Sequence, residues 1–245
     1  MKKILYIILT ISTPYFVAAQ TTFIGKGKIE FERKENLHKQ FTEDNEFANE
    51  IKKNTPKYKT TYFDLYFDGD QSLYKPGREE QAEKAVFFGE GPASTNTVFN
   101  NYSTKTTSSQ KQIFETQYLI QDSLRKITWK LTSDTRRIAG FTCRKATGIV
   151  NDSVFVFAFY TDEITLSGGP EGFNGLPGMI LGIAIPRINT TWFATKVELY
   201  NVTPKDLAAP VKGKKTNYVQ LQEILNKSLS DWGEWAQRNI WLVML

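Results

Sequence analysis

Three carboxylates near the middle of the chain are the residues whose types and spacing best suit catalysis. Asp162 and Glu163 follow an aromatic segment, and Glu171 comes eight residues later, so all three are expected near one end of a sheet. Carboxylates that lie close together can act as general acid and general base in hydrolysis. An Asp-Glu pair after a strand is also an ordinary polar strand end, and both interpretations stay open.

The single histidine and single cysteine limit other kinds of catalysis. His38 cannot form a two-histidine zinc motif, and its neighbours Lys34, Glu35 and Lys39 favour a surface position. Cys143, beside Arg144, is either a reactive thiol of lowered pKa or a small buried side chain, and its place in a predicted strand favours burial. We predict no metal site, no cofactor and no internal disulfide.

A glycine-rich run at 168–180 is the most distinctive segment of the chain. Its glycines and prolines indicate a backbone with prescribed dihedral angles, including positive φ. It lacks the Lys-Ser/Thr of a phosphate-binding loop and leads into a strand, where such a loop leads into a helix. We predict a rigid loop that closes one end of the sheet and is a candidate binding rim, formed by Gly169, Pro170, Gly175, Leu176, Pro177, Gly178, Met179 and Ile180.

The N-terminus has the pattern of a signal peptide at 1–19. Lys2 and Lys3 precede an apolar stretch, and Val17-Ala18-Ala19 forms a small-residue cleavage site. No cysteine lies near this site, which argues against a lipoprotein. We therefore predict an exported protein, located in the periplasm or outside the cell, with one β-rich domain at 20–245 and no membrane span after cleavage.

The charge of the chain is mild. Its 245 residues carry a formal net charge of +5, which falls to +3 without the two lysines of the leader. This charge is evenly spread, so the sequence predicts no nucleic-acid partner.

Alternation of apolar and polar residues predicts strands with one buried face along most of the chain. Turn-forming clusters such as Asp68-Gly69-Asp70 and Ser133-Asp134-Thr135 favour an antiparallel meander, with polar loops at 76–95 and 100–110. The clearest strands are Lys28–Glu32, Tyr62–Phe67, Gln112–Ile120, Lys126–Leu131 and Phe193–Leu199.

Two continuous apolar runs, Val154–Tyr160 and Met179–Ile185, predict strands buried on both faces. Either a second layer covers them or they line an apolar cavity. Helical spacing predicts one helix at Phe41–Ile51 with a Thr42 cap, and a longer one at Tyr218–Arg238 before an apolar tail. The longer helix has an apolar stripe that is expected to be buried against the sheet, formed by Leu221, Ile224, Leu225, Leu229, Trp232 and Ala236. The fold class is mainly β (α+β): a single curved antiparallel meander sheet or half-barrel, packed by a C-terminal helix.

The order of motifs between 127 and 185 resembles that of the GLPGLI family of exported Bacteroidetes proteins. The resemblance rests on Ile138–Ala146, on Phe159–Ile164 and on Gly175-Leu176-Pro177-Gly178-Met179-Ile180, with Met179 in place of the second leucine of the family motif. Members of this largely uncharacterised family often occur beside TonB-dependent transporters. The resemblance implies an envelope accessory protein with an outer-membrane transporter as partner.

Three functions fit the sequence. The first is a non-enzymatic exported protein that binds an apolar or peptide-like ligand, or a partner, near the glycine-rich run. The second is a hydrolase that uses Asp162, Glu163 or Glu171. The third is a structural or interaction protein of an envelope complex that docks through the glycine-rich loop and the tail from Ile240. We favour the first, because no complete catalytic set is visible.

Overall fold

A computed structural model describes residues 23–41, 45–79, 91–151 and 153–245. These residues form twelve strands and three α-helices. The strands are β1 Lys26–Asn36, β2 Tyr58–Asp68, β3 Gln71–Pro76, β4 Thr97–Asn101, β5 Thr106–Ile113, β6 Thr116–Ser123, β7 Trp129–Ile138, β8 Phe141–Val150, β9 Val154–Thr161, β10 Met179–Ile185, β11 Thr190–Glu198 and β12 Lys214–Thr216. The helices are α1 Glu46–Asn54, α2 Tyr218–Ser228 and α3 Glu234–Met244.

All twelve strands belong to one open sheet in the order β12-β6-β5-β4-β3-β2-β1-β11-β10-β9-β8-β7. Two antiparallel meanders, β1 to β6 and β7 to β11, join where β1 pairs with β11. Among the described strands, only the short β12 pairs in parallel, with β6. The predicted fold class is confirmed: the protein is mainly β, with one antiparallel meander sheet and helices at the C-terminal end.

Strand β1 shows how sequence alternation positions the core. Its inward residues Ile29 and Phe31 are fully buried, whereas Lys28 and Glu30 are partly exposed. Because successive side chains point to opposite faces, Arg33 and Glu35 continue the inward row of Ile29 and Phe31. The sheet therefore carries two charged side chains into its interior at the end of β1.

The two C-terminal helices pack on the β5 and β6 side of the sheet. Leu221, Leu225 and Leu229 of the predicted apolar stripe are buried there, with Ile120 of β6 and Val243 of α3. The single helix predicted at Tyr218–Arg238 is wrong. A 3-10 turn at Ser230–Trp232 and Gly233, with φ +55°, separate α2 from α3. This break exposes Trp232, which the stripe had placed in the core.

The apolar tail belongs to α3 and to the core. Residues from Ile240 to Leu245 are buried. The tail is therefore not free to serve as the exposed docking segment of the third hypothesis.

Several strand boundaries differ from the prediction because turns form without glycine. Gln112–Ile120 is not one strand: the chain turns at Phe114, with φ +52°, between β5 and β6. Most of the loop predicted at 100–110 forms the hairpin between β4 and β5. No turn forms at Ser133–Thr135, where one was predicted. These residues lie inside β7, at the point where its pairing with β8 shifts register between Leu131 and Thr135.

Of the two continuous apolar runs, only one is buried on both faces. Strand β10 is almost wholly buried, as predicted. Strand β9 alternates, and Phe155 is 60% exposed, so the prediction of double burial is wrong for β9. The outer face of the sheet is aromatic at this position, and no described element covers Phe155 as a second layer.

Three predictions involve residues outside the described ranges. The signal peptide at 1–19 and the predicted cap Thr42 lie there, and so do residues 80–90 of the loop predicted at 76–95. Helix α1 begins at Glu46, after Asn45, whose side chain accepts a hydrogen bond from the Ala48 amide at 2.8 Å. Among the described residues, no helix combines the length and the hydropathy that a membrane crossing needs.

Candidate functional site

The glycine-rich run forms a rigid loop between β9 and β10. Gly172, Gly175 and Gly178 have φ values of +77°, +91° and +133°, which favour glycine. A Cβ atom at Gly178 would also clash with the carbonyl oxygen of Thr161. The spacing of the glycines therefore reflects backbone geometry, as the sequence predicted.

The predicted motif residues mostly face the protein interior. Phe173 and Leu176 anchor the loop in the core, while Gly175 and Pro177 are exposed. The indole nitrogen of Trp129 donates to the carbonyl oxygen of Asn174 at 2.8 Å. The other motif residues, Gly169, Pro170, Gly178, Met179 and Ile180, are buried. The loop thus frames the sheet, and little of it is available as a binding rim.

The structure does not bring the three candidate carboxylates into contact. Asp162 is exposed and pairs with Arg144 at 3.2 Å. The Glu163 carboxylate accepts from the Thr161 hydroxyl at 3.5 Å. Glu171 is buried and accepts from the side-chain amide of Asn96 at 2.7 Å. Within the described ranges, no hydrogen bond or ion pair joins these carboxylates, and each of them has a different partner.

Glu171 instead belongs to a buried polar cluster beneath the loop. Burial, with a contribution from the Glu171 carboxylate, raises the pKa of Tyr74 well above its usual value. Burial lowers the pKa of Lys111, although the charge of Glu171 acts in the opposite direction. The Lys111 ammonium donates to the carbonyl oxygens of Val243, at 2.9 Å, and Leu245. This cluster ties the interior of the sheet to the end of α3.

The environments of His38 and Cys143 suit structural roles. His38 Nε2 donates to the Thr55 carbonyl oxygen at 2.9 Å, and its side chain is half-buried, not the surface side chain that the sequence predicted. Cys143 is fully buried, as predicted, and burial raises the pKa of its thiol to about 12. In the described part of the chain, no group of three His, Cys, Asp or Glu side chains is placed to hold a metal ion.

A cleft of about 710 Å³ lies at the end of β1, between α3 and the turn at 91–95. Its volume is in the range of small-molecule sites. Strand β1 contributes Arg33 and Glu35, and α3 contributes Trp235 and Arg238. The cleft is the best candidate site in the described structure, because it combines enclosure with charged and aromatic side chains.

The floor of the cleft is a carboxylate held between two guanidinium groups. Glu35 lies 2.9 Å from Arg238 and 3.4 Å from Arg33, and Gln40 donates to the same carboxylate at 2.9 Å. All three charged side chains are largely buried, which strengthens their interaction. Because Glu35 is engaged by three donors, it orients the two arginines and is not positioned as a free proton acceptor.

Three polar atoms on the cleft lining lack a partner. Arg33 Nε, Arg238 Nε and Thr55 Oγ1 are buried and have no hydrogen-bond partner among the described residues. Buried polar groups are usually hydrogen-bonded, and these three atoms, which have almost no accessible surface, lie just beneath the lining of the cleft. Two of the three are N–H donors, and the hydroxyl can also donate. The floor therefore suits a ligand rich in oxygen acceptors.

Two aromatic pairs form the rim of the cleft. The rings of Phe41 and Trp235 have centroids 6.1 Å apart, and those of Phe114 and Trp232 are 5.5 Å apart. Trp232, Trp235 and Phe114 are 48%, 47% and 43% exposed, which is high for such large apolar side chains. Exposed aromatic groups around a polar floor offer flat surfaces to the apolar faces of a polar ligand.

This site was not predicted from the sequence, although β1 carries one signal for it. Arg33 and Glu35 occupy alternate positions in line with Ile29 and Phe31, so the alternation along the strand places them on its inward face. Buried charges of this kind need partners and mark candidate sites. No comparable local signal links them to Trp235 or Arg238.

Comparison with known proteins provides a family match. Residues 79–223 match the family described as N-glycanase peptide, N-terminal domain. Two solved structures of PNGF-II, from different crystal forms, resemble this chain with TM-scores of 0.52 and 0.53. Both are 17% identical, and each similarity covers 83% of this chain but only 34% and 33% of theirs. No curated protein sequence matches the chain significantly.

These matches correct several expectations. The resemblance to the GLPGLI family is wrong, because the matched range 79–223 contains all of its motifs and belongs to the N-glycanase domain family. The favoured function, a non-enzymatic binding or accessory protein, is also wrong, because the matched family is a domain of an enzyme. The structural similarity at 17% identity shows the fold alone, and the chain spans about a third of the PNGF-II chains.

Proposed function

Because this chain belongs to the family of the N-glycanase N-terminal domain, we propose that it functions in the enzymatic removal of N-linked glycans from glycoproteins. The proposal assigns the cleft between β1, α3 and the turn at 91–95 to binding of the glycan. The family match at residues 79–223 is the observation that carries the proposal.

The chemistry of the cleft supports a sugar as ligand. Sugars present hydroxyl groups at their edges and apolar C–H faces, and the cleft has matching surfaces for both. The guanidinium groups of Arg33 and Arg238 are donors for sugar oxygens. The exposed rings of Trp232 and Trp235 provide the apolar surface.

The family match and the cleft overlap in part. The turn at 91–95 and the rim residue Phe114 lie inside the matched range, whereas Glu35 and Arg238 lie outside it. Glu35 holds both arginines in place through its two ion pairs. The described cleft residues would thus bind and orient the glycan during its hydrolysis.

Two predictions from the sequence continue as part of this proposal. The first is the peptide-like ligand, because the N-linked glycan of a glycoprotein substrate is attached to a peptide. Export by the signal peptide at 1–19 would bring the protein to glycoproteins outside the cytoplasm. The transporter partner was implied only by the GLPGLI resemblance and is not retained.

A glycan-release assay tests the proposal. Purified protein is incubated with an N-glycoprotein, and released glycans are measured by mass spectrometry. We expect release that falls at least tenfold in Trp235→Ala, because the ring contributes to the rim. Phe155→Ala is the matched control, since Phe155 is an exposed aromatic residue outside the cleft. Absence of release, or an equal loss in both variants, would contradict the proposal.

A further inference from the structure

We propose that β7, at one edge of the sheet, is a docking edge for an extended, acidic segment of a partner polypeptide. The segment would continue the sheet by pairing with β7, and its carboxylates would face the basic side chains of that strand. All residues of β7 are described, and none of them lines the cleft. The docking edge is therefore a second surface, and it does not depend on the proposed glycanase function.

Strand β7 is the last strand of the sheet and is paired on one side only. Its ladder runs to β8, and no described strand is hydrogen-bonded to its other side. The end of β7 approaches β11, so the open part of the edge is the first half of the strand. Such an edge presents backbone N–H and C=O groups to another extended chain. Among anionic partners, only a polypeptide can continue the ladder with its own backbone.

The side chain of Leu131 shows that the core is incomplete at this edge. Leu131 lies opposite Ala146, which is fully buried, so both point to the core face of the sheet. Leu131 is nevertheless 55% exposed, because no described strand beyond β7 covers it. A strand added at this edge would bury this leucine, which favours docking.

The basic side chains of β7 select an acidic occupant. The strand carries Lys130, Arg136 and Arg137, and its one carboxylate, Asp134, already pairs with Lys145 of β8 at 3.0 Å. Together, β7 and β8 hold five basic side chains and one acidic side chain. The charge of the chain is therefore less evenly spread than predicted, and it is concentrated at this edge.

The contacts of these basic side chains leave their charges without a counter-charge. Arg136 lies over the ring of Phe193, 4.5 Å from its centroid, and Arg137 donates to the carbonyl oxygen of Gly140 at 3.0 Å. No carboxylate in the described part of the chain pairs with either arginine or with Lys130. A second copy of this chain would bring like charges together, whereas an acidic segment would bring opposite charges together.

The opposite edge of the sheet lacks these features. Strand β12 consists of Lys214, Lys215 and Thr216, and none of these residues is apolar. A short edge strand with exposed lysines is protected against pairing with another chain. Strand β7 is longer and presents an exposed leucine, so β7 is the edge that suits a partner.

Fluorescence anisotropy with labelled peptides tests the proposal. The probes are a short peptide of alternating glutamate and valine, a matched peptide of alternating lysine and valine, and the acidic peptide with proline in place of valine, which cannot form a ladder. We expect the first to bind at least tenfold more tightly than the other two, and more weakly at high salt. Equal affinity for the acidic and basic peptides, or no binding of the acidic peptide, would overturn the proposal. Binding to phosphatidylglycerol vesicles alone would show that the edge recognises a lipid surface, and would also overturn it.

Hydrogen exchange locates the bound peptide. Backbone amides in the first half of β7 should exchange at least tenfold more slowly in the presence of the acidic peptide, because the added strand accepts their hydrogen bonds. Amides of β12 should be unchanged. Protection at β12 or around the cleft, without protection of β7, would contradict the docking edge.

Variants identify the side chains responsible. Lys130→Glu reverses a charge on the edge, and Leu131→Ser removes the exposed apolar group. Both side chains are exposed, so both variants should melt like the wild type, and both should bind the acidic peptide severalfold more weakly. Lys130→Glu should also bind the basic peptide more tightly, which a merely structural effect would not produce. Lys215→Glu in β12 is the matched control. Unchanged affinity in both edge variants, or an equal loss in the control, would refute the assignment.

Discussion

The guanidinium group of Arg238 lies 2.9 Å from the carboxylate of Glu35, although 203 residues separate them in the chain. This pair connects the last helix to the first strand of the sheet. Arg33 approaches the same carboxylate from β1. The candidate site therefore exists only when α3 packs against the end of β1.

Loss of the Glu35 charge should destabilise the fold. In Glu35→Gln, Arg33 and Arg238 lose their shared counter-charge while they remain largely buried. We expect the free energy of unfolding to fall by about 3 to 5 kcal/mol, as measured by urea denaturation. Glu32→Gln, on the exposed side of β1, removes the partner of Lys34 and should cost less than about 1 kcal/mol. Similar costs for both variants would refute this account.

The glycine-rich loop should tolerate a side chain at Gly175 better than at Gly178. Valine at either position is strained by positive φ, which costs about 1 to 3 kcal/mol. At Gly178 the new Cβ would also clash with the Thr161 backbone, so Gly178→Val should be the less stable variant. Thermal melting measures the difference. Gly25→Ala, where an added Cβ has open space, is the control, and a loss there as large as at Gly178 would argue against the explanation.

Cys143 should be chemically inert in the folded protein. Burial raises the pKa of its thiol from 9.0 to about 12, so the reactive thiolate is about a thousandfold rarer at mildly alkaline pH. We expect iodoacetamide to label Cys143 in denaturant but not in native protein at pH 8. Rapid labelling of the native protein would disprove this prediction.

The same pKa shift predicts a pH dependence of stability. The pKa of the Cys143 thiol is higher in the folded protein than in the unfolded chain, so the folded state favours the neutral thiol. The stability that this contributes is fully present below about pH 9 and is lost as the pH rises toward about 12. Over this window, Cys143→Ala should lose less stability than the wild type, as measured by urea denaturation at several pH values. Parallel curves for the two proteins would contradict the prediction.

Helix α2 should contribute strongly to stability through its buried face. Leu225 is 2% exposed and packs among residues of β6 and α3, so Leu225→Ala leaves a cavity. We expect a cost of about 2 to 5 kcal/mol in chemical denaturation. Leu199 is 81% exposed, and Leu199→Ala should change stability by less than about 0.5 kcal/mol. A small effect at Leu225 would show that α2 is only loosely attached.

The sequence by itself determined the local structure of most strands and the role of the glycine-rich loop. Alternation in β1 and continuous burial in β10 follow directly from the residues, because side chains in a strand point to alternate faces. The turn at Phe114 was missed because its positive φ occurs in a residue that carries no turn signal. The break at Gly233 was missed because a single glycine does not always end a helix.

Only the tertiary structure decided the candidate site. The alternation in β1 shows that Arg33 and Glu35 lie on its inward face. Nothing in the local sequence of β1 shows that Arg238 and Trp235 lie beside them. Pairing of β1 with β11 and packing of α3 depend on the fit of surfaces far apart in sequence, which local periodicity does not encode. The sequence thus specifies which side chains face inward, and long-range packing determines which of them meet.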